Sequence, residues 1–472
     1  MKAFFINPHM PASSWFNSSA AGISPPLGLL SIASYFIEKG NDAIILDNSA
    51  EMLSEKNIIE KIKRYAPDII GITATTTNFN VAKGLVSIIK KETDIPVVLG
   101  GHHVSALPEY SIESTEADFV IIGEGEKSFL MLAEKIKNGG SLADIGGLCR
   151  KENGKTIVNR NIENIEDIKD LKLDYSLLPI EKYRPSLSRR LTPGIFSAVI
   201  TSRGCPYKCK FCSKLYGEKY LLRNEETVIK EIEFLKKKYN ISELIIWDDT
   251  FTFEKERAIY LSRYIKKVSS AFWSCYSRVD KADDKLYFEL SNNGLKEIVF
   301  GAESGNDNIL KNIDKKITKD QTKTAIELTK KAKISSFVSV ILGLPGETRQ
   351  TIEETIDFFI SIDPDYTAFT TLIPFPGSEY FDTAIKKGLI DLKNTDWDSY
   401  VTIFSSKLPP CSLCDLTPKE LVKLQKYAMR KFLFRPKYIK KHFNKILKEG
   451  FFRAGTVYKG AKTVLKHQLH KI

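Results

Sequence analysis

The first 145 residues of this 472-residue chain contain no cysteine, so no thiolate-held cluster is expected there. No run of about 18 apolar residues occurs, and no segment is expected to span a membrane. The opening Met1–His9 carries only a short apolar stretch, less than a secretory leader requires. Acids are nearly missing from Lys423–Ile472, which holds fifteen Lys and Arg against Glu449 alone, 15 − 1 = +14. The whole chain has a net charge of +12, leaving −2 for the remaining 422 residues. The basic balance therefore belongs to a tail and describes nothing else. Cysteine is scarce but concentrated: three of the seven fall within eight residues, unlike the paired framework of a secreted protein. A cytoplasmic location is expected, and the length calls for two or three domains.

Those three are Cys205, Cys209 and Cys212, in Cys-Pro-Tyr-Lys-Cys-Lys-Phe-Cys just after the apolar run Ala198–Thr201. Zinc takes four ligands, and no nearby His or Cys offers the fourth. A 4Fe-4S cluster held by three thiolates keeps one iron open for a substrate or co-substrate. The spacing, the loop position and Phe211 before the last cysteine point to the cluster.

Apolar runs at Ala3–Ile6, Ala43–Leu46, Ile69–Thr73, Val97–Leu99 and Phe119–Ile122 alternate with helical patterns at Leu27–Lys39, Glu55–Tyr65, Val81–Lys91 and Lys127–Lys137. The alternation predicts an α/β domain over 1–145, a doubly wound, flavodoxin-like parallel sheet covered on both faces. Residues 146–195 read as an irregular linker, with a hairpin around Asn153-Gly154. A second series follows over 196–385, with strands near Ser197–Thr201, Leu244–Trp247, Trp273–Ser277, Glu297–Phe300, Val338–Leu342 and Thr367–Thr371 and helices between them. Six such units suit a partial (β/α)6 TIM-like barrel with its site at the C-terminal strand ends. Residues 386–472 are expected to form a basic helical region. The chemistry-bearing residues cluster at the barrel strand ends: the cysteines, Asp248-Asp249, Arg278, Glu303-Ser304, and Gly343 within Gly343-Leu344-Pro345-Gly346-Glu347.

With the cysteine loop on the first strand and polar residues on the next four, 196–385 resembles the radical S-adenosylmethionine (SAM) enzymes. The resemblance implies that Cys205, Cys209 and Cys212 ligate the cluster. The open iron would take the amino and carboxylate groups of SAM, and its reductive cleavage would give a 5′-deoxyadenosyl radical. It places Phe211 against the adenine, Asp248 or Asp249 at the methionine end, Glu303 at the ribose, Gly343 beneath the adenine, and Arg278 toward SAM or substrate, with Ser304 among the cofactor-binding residues. Ser339 and Gly346 depart from the family's usual glycine and glutamate on the fifth strand. Two other readings stay open: Asp248 as a helix cap and Glu303 as the partner of a barrel lysine.

The segment from Asn7-Pro8 through Gly100-Gly101-His102-His103 and Gly123-Glu124-Gly125-Glu126 is similar to the cobalamin-binding domain joined to a large subgroup of these enzymes. Ligands of such sheets bind at the carboxyl strand ends, where Thr73, Gly100, Gly101, His102, Gly123 and Glu124 fall. His9 has the spacing of the histidine that replaces the nucleotide base beneath cobalt, but the Asp that would orient it and the closing Gly are missing. His102 and His103 are expected to pack under the corrin.

The resemblance implies a cobalamin-dependent radical SAM enzyme that methylates an unactivated carbon through methylcobalamin, with an oxidative or ring-forming cyclase or rearrangement as the alternative. A cobalamin sensor would leave the cysteine loop unused, and a tRNA methylthiotransferase would need cysteines in the first domain. Expected partners are a small-molecule or lipid substrate and a low-potential donor such as flavodoxin or ferredoxin, with no nucleic acid. Phe432, Phe434, Tyr438, Phe443, Phe451, Phe452 and Tyr458 among the tail cations suggest docking on the protein or peripheral contact with anionic lipid. Cys149 and Cys275 read as packing residues, and Cys411 with Cys414 as a pair too small to hold a cluster.

Overall fold

The computed structural model describes residues 1–11, 22–162, 168–186, 191–192, 194–213, 219–401 and 407–441. Strands β1 (Lys2–Asn7), β2 (Asp42–Asp47), β3 (Ile69–Thr73), β4 (Val97–Gly100) and β5 (Phe119–Ile121) pair in parallel in the order β2-β1-β3-β4-β5. Ala3, Phe4, Phe5 and Ile6 are all buried, because a parallel sheet covered on both faces demands apolar residues at consecutive positions. Helices Leu27–Glu38 and Glu126–Asn138 turn Leu30, Ala33, Phe36, Phe129 and Leu132 into the same core as Phe5. The strand order reverses between β1 and β3, opening a crevice at their carboxyl ends. Across it the Thr77 hydroxyl reaches the Met10 thioether at 3.7 Å.

Residues 146–195 are not a free linker. The expected hairpin forms as β6 (Leu148–Glu152) and β7 (Lys155–Val158), turning at Asn153 and Gly154, both with positive φ. It continues the first sheet, with β6 antiparallel to β5. Beyond it Leu171, Leu173, Tyr175, Leu178, Ile180 and Tyr183 are buried in one core shared by the first sheet and the barrel. Their spacing follows neither period 2 nor 3.6, which hides them from pattern reading. Specific bonds fix the segment: Tyr175 donates to the Ala198 carbonyl at 3.1 Å, Tyr183 to Asp47 at 2.8 Å, and Leu173 N–H to Glu231 at 2.8 Å.

The second sheet is an open, all-parallel partial barrel. Its strands are β8 (Phe196–Val199), β11 (Glu243–Ile246), β12 (Phe272–Ser277), β13 (Leu295–Glu303), β14 (Ser335–Leu342) and β15 (Tyr366–Thr371), hydrogen-bonded in that sequence. A two-stranded ribbon, β9 (Ser202–Arg203) with β10 (Leu221–Leu222), flanks the loop after β8. Cys149 and Cys275 are buried in the cores, as expected of packing residues.

The C-terminal region ties both halves together. Ile373, Phe381, Trp397, Tyr400 and Cys411 join the core on the opposite face of the first sheet from Phe5. Trp397 donates to the Tyr110 hydroxyl at 2.9 Å. Helix Pro418–Leu433 lays Leu421, Leu424, Ala428 and Phe432 into the barrel core. Its cations meet barrel acids: Lys431 with Asp357, Arg435 and Lys437 with Asp363, and Lys441 with Asp365. The described part of the basic tail therefore docks on this chain. Phe443, Phe451, Phe452 and Tyr458 lie outside the described residues. Among the described residues no helix is long and apolar enough to cross a membrane.

His103 occupies this second core. Its ring lies 4.0 Å from that of Phe79 and 4.6 Å, edge-on, from Trp397, with Nδ1 3.3 Å from the Thr76 hydroxyl. It does not pack beneath a corrin: the helix His102–Ala106 turns it down into the protein. Burial lowers its pKa from 6.5 to about 3. Below pH 6.5 the unfolded chain takes a proton that the folded chain refuses, so stability is present above that pH and is lost as pH falls toward 3. By pH 5 the loss from this group reaches about 2 kcal/mol. A His103→Phe protein should lack that component, which melting curves of both proteins between pH 7.5 and 5 will check.

Candidate active site

The barrel site begins where β8 ends. Thr201 donates its N–H to Asp248 at 2.6 Å and its hydroxyl to the same carboxylate at 2.5 Å. Arg257 donates to the Thr201 hydroxyl at 2.9 Å and carbonyl at 3.1 Å. Asp248 is buried, and desolvation raises its pKa against the bonds from Thr201 and Ser202. It is a positioning group for the first strand. The neighbouring Asp249 is exposed, and its charge contributes, after burial, to raising the pKa of both Cys205 and Cys212.

The chain turns out of β9 at Gly204 (φ +85) into the cysteine loop. Cys205, Cys209 and Cys212 are all free thiols. The Cys212 N–H bonds the Cys209 carbonyl at 3.1 Å, and the Lys210 N–H bonds the Ile313 carbonyl at 3.1 Å, so barrel backbone shapes the loop. Cys212 is exposed at its surface, yet desolvation by the surrounding loop first, then the charges of Cys209, Asp249 and Cys205, push its thiol up to about 11. Burial also raises Cys205. Three thiolates beside a carboxylate require a compensating positive centre. Among the described residues no three His, Cys, Asp or Glu side chains converge tightly enough for a single metal ion. Three thiols on one loop suit a 4Fe-4S cluster held by three thiolates.

Around the loop stand residues from the next strands. Arg278, nearly buried, lies 3.5 Å from the Tyr207 ring centroid and donates to Asp280 at 2.9 Å and to the Lys315 carbonyl at 2.7 Å. It braces the loop through Tyr207. Glu303 sits at a bulge of β13 with φ +65 and accepts from Lys315 at 2.8 Å. The pair folds back over Gly301, where a Cβ would collide with Glu303 and meet Lys315 at 3.0 Å. The expectation of a barrel lysine partner is thus met, and that lysine is itself central. Lys315 lies 5.5 Å from the Phe211 ring and feels the charge of Cys209. Ser304 is buried against the Thr355 hydroxyl at 3.1 Å, a packing contact inside the barrel wall.

Gly343 has φ +91, and a Cβ there would come within 2.7 Å of Leu421 on the C-terminal helix. Packing from outside, not approach by a ligand, requires this glycine. The missing glutamate at position 346 is replaced one residue on: Glu347 is fully buried and accepts the Gly343 N–H at 2.6 Å and the Leu344 N–H at 2.9 Å. Burial raises its pKa to about 7.

On the first sheet, a Cβ added at Gly100 would meet open space, whereas one added at Gly101 (φ +102) would come within 2.8 Å of the Ala74 carbonyl oxygen and 2.9 Å of the Thr73 hydroxyl. Gly100 is therefore the glycine that a flat macrocycle can approach, and Gly101 serves the turn. His102, exposed, opens the following helix. Gly123 (φ +80) donates its N–H to Ser105 at 3.0 Å. Glu124 faces the barrel and pairs with Arg203 at 3.3 Å. His9 Nδ1 lies 3.5 Å from the Asn48 amide nitrogen, and the Asn48 carbonyl oxygen accepts the Leu53 N–H at 2.7 Å. The neighbour of His9 Nδ1 is thus an amide, not the carboxylate that would orient a metal-bound histidine.

A doubly wound domain beside a barrel whose first strand carries a three-cysteine loop defines a class of iron-sulfur enzyme with a second cofactor domain. The comparisons agree. The family described as B12 binding domain matches residues 15–133, and the radical SAM superfamily matches residues 199–359. An uncharacterized methyltransferase of Pyrococcus horikoshii is 35% identical over 93% of each chain. The anaerobic magnesium-protoporphyrin IX monomethyl ester cyclase of Rubrivivax gelatinosus is 30% identical over 81% of this chain and 69% of its own. The radical SAM methyltransferase TsrM from Kitasatospora setae shares the fold, with a TM-score of 0.67, 20% identity, and coverage of 82% of this chain and 75% of its own. The chain belongs to the radical SAM enzymes with a B12-binding domain.

Arg203, Lys315 and Glu347 carry no motif and were not singled out in the sequence; only the glutamate's offset by one residue offered a signal. Removing one member of a buried ion pair strands the other, at a cost of about 3–5 kcal/mol. Lys315→Met should therefore lower the melting temperature clearly, and Glu303→Gln combined with it should restore much of the loss, as a double-mutant cycle of thermal melts will report.

Proposed function

We propose that this chain is a cobalamin-dependent radical SAM methyltransferase acting on an unactivated carbon of a small molecule. The carrying observation is the three free thiols on one loop at the end of the first barrel strand, facing the carboxyl ends of a domain with a B12-type crevice. Cys205, Cys209 and Cys212 would hold a 4Fe-4S cluster, and β1, β3 and β4 would receive the corrin near Gly100. When bound, the cluster supplies an electron to SAM, and cobalamin supplies a methyl group.

This chain's residues prepare those sites. The loop leaves one cluster position without a protein ligand, and Asp249 stands where an ammonium group can be accepted. Asp248 and Arg257 hold the loop's origin through Thr201. Phe211 offers a ring for an adenine, with the Glu303–Lys315 pair next to it, while Tyr207 and Arg278 wall the side toward β12. The Pyrococcus relative, matching nearly the whole of both chains, supports methyl transfer. The likeness to the cyclase supports a second reading, oxidative ring formation with the same cofactors.

Protein reconstituted anaerobically with iron, sulfide and hydroxocobalamin, then reduced with SAM, should bind cobalt and form 5′-deoxyadenosine. Cys209→Ala should keep the cobalt and lose deoxyadenosine. Deoxyadenosine without bound cobalt would sink the two-cofactor reading, and absence of both would sink the enzyme reading. Product mass then separates methyl gain from hydrogen loss.

A further inference from the structure

Arg203 stands two residues before the first cysteine, yet its guanidinium reaches into the other domain. Its guanidinium donates to Glu126 at 2.7 Å and to the Ser31 hydroxyl at 2.7 Å, and lies 3.3 Å from Glu124. Ser31 in turn donates to Glu126 at 2.5 Å. The Arg203 side chain is 5% exposed and both carboxylates are 3% exposed. Glu124 lies in the short loop after β5, and Glu126 opens the helix that follows, across a tightly packed turn. Gly123 holds φ +80, and a Cβ on Gly125 would come within 2.7 Å of Ile32. The far end of the cysteine loop is gripped as well. Gly377 (φ +87), in the loop after β15, is so close to Ser213 and to Ala106 at the end of the β4 helix that a Cβ would lie 2.7 Å and 3.3 Å from them.

Buried ion pairs add little net stability compared with apolar packing, but they are directional, and a misplaced partner is heavily penalised. Here the charges sit at the seam between the cysteine loop and the carboxyl edge of the B12-binding sheet. We propose that Arg203, Glu124 and Glu126 form an interdomain clamp of positioning residues, which sets the separation and angle between the thiolate loop and the B12 crevice. The inference rests on the two-cofactor reading. Transfer between two centres tolerates little error in placement, about 1 Å costing on the order of a hundredfold. A rigid charged clamp on the first turn of the loop meets that demand more directly than the distributed core behind it.

The test uses the full chain and Glu126→Gln, with Arg203→Lys as a milder second variant. In cofactor-free protein, hydrogen exchange of the Thr201–Ser213 amides should accelerate about tenfold in Glu126→Gln through local opening, with the β1 and β3 amides unchanged. In reconstituted protein the broadening of the cob(II)alamin EPR signal by the reduced cluster should weaken. Product formed per deoxyadenosine should fall about tenfold or more, with iron and cobalt contents kept, and Arg203→Lys should lie between. Unchanged exchange and broadening would overturn the proposal. So would acceleration spread across the first sheet, or loss of either cofactor, since both mark a merely structural pair. Wild-type protein that takes up no cobalt would refute the two-cofactor reading instead, and the exchange experiment would still decide whether the clamp holds the loop.

Discussion

The structure depends on how the end of one strand is held. Thr201 is gripped from opposite sides by a carboxylate and a guanidinium, Asp248 and Arg257, and all three are buried. Arg257 also bonds the Arg223 carbonyl, and Arg223 pairs with Glu231 while donating to the Leu171 carbonyl. A single chain of charge-assisted bonds thus runs from the second barrel strand, through the exit of the first, to the segment that crosses between the domains. Such bonds are shorter and stronger than neutral ones, and they fix direction as well as distance. Everything after Thr201, first Arg203 and then the three cysteines, is aimed by that network.

The two halves share a core, which changes what each can do alone. The segment from Leu171 to Tyr183 contributes buried apolar side chains to both, and Tyr183 caps the buried Asp47 at the end of β2. Asp47 is raised by burial and steadied by bonds from Asn7, Tyr183 and Ser49. The mouth of the B12-type crevice is therefore partly built by residues outside the five-stranded unit. A chain cut near residue 145 would lose both the β6–β7 hairpin and this support, exposing the edge of β5.

Most of the architecture was legible in the sequence because parallel strands buried on both faces leave continuous apolar runs. All five parallel strands of the first sheet and all six of the barrel fall within a few residues of those runs, and the cysteine loop lies where its spacing placed it. What the sequence hid has physical reasons. The 146–195 stretch carries irregularly spaced apolar residues, so no period announces its burial. Asp248 and Asp249 are adjacent and chemically alike, and only the fold shows that one is buried against Thr201 and the other exposed. Glu124 resembled a ligand residue because its loop lies at a strand end, but its partner, Arg203, is 79 positions away. His103 followed a glycine pair suited to a cofactor loop, and Trp397, far along the chain, explains its burial. Long-range charge and ring pairs leave no trace in local pattern.

The C-terminal region shows how composition can mislead about mechanism. Its excess of Lys and Arg suggested either docking on the protein or contact with anionic lipid, and in the described part Asp357, Asp363 and Asp365 at the base of the barrel take up Lys431, Arg435, Lys437 and Lys441. Exposed pairs of this kind add little individually, so Leu421, Leu424, Ala428 and Phe432 must supply most of the docking energy. Docking has a consequence at the site. Leu421 lies against Gly343, whose N–H is held by buried Glu347, so the helix braces the fifth strand's loop from behind. Trp397, from the same region, seals the opposite face of the first sheet. The segment after the barrel is thus a strap over both halves, and it opposes from outside the relative movement that Arg203 opposes from within.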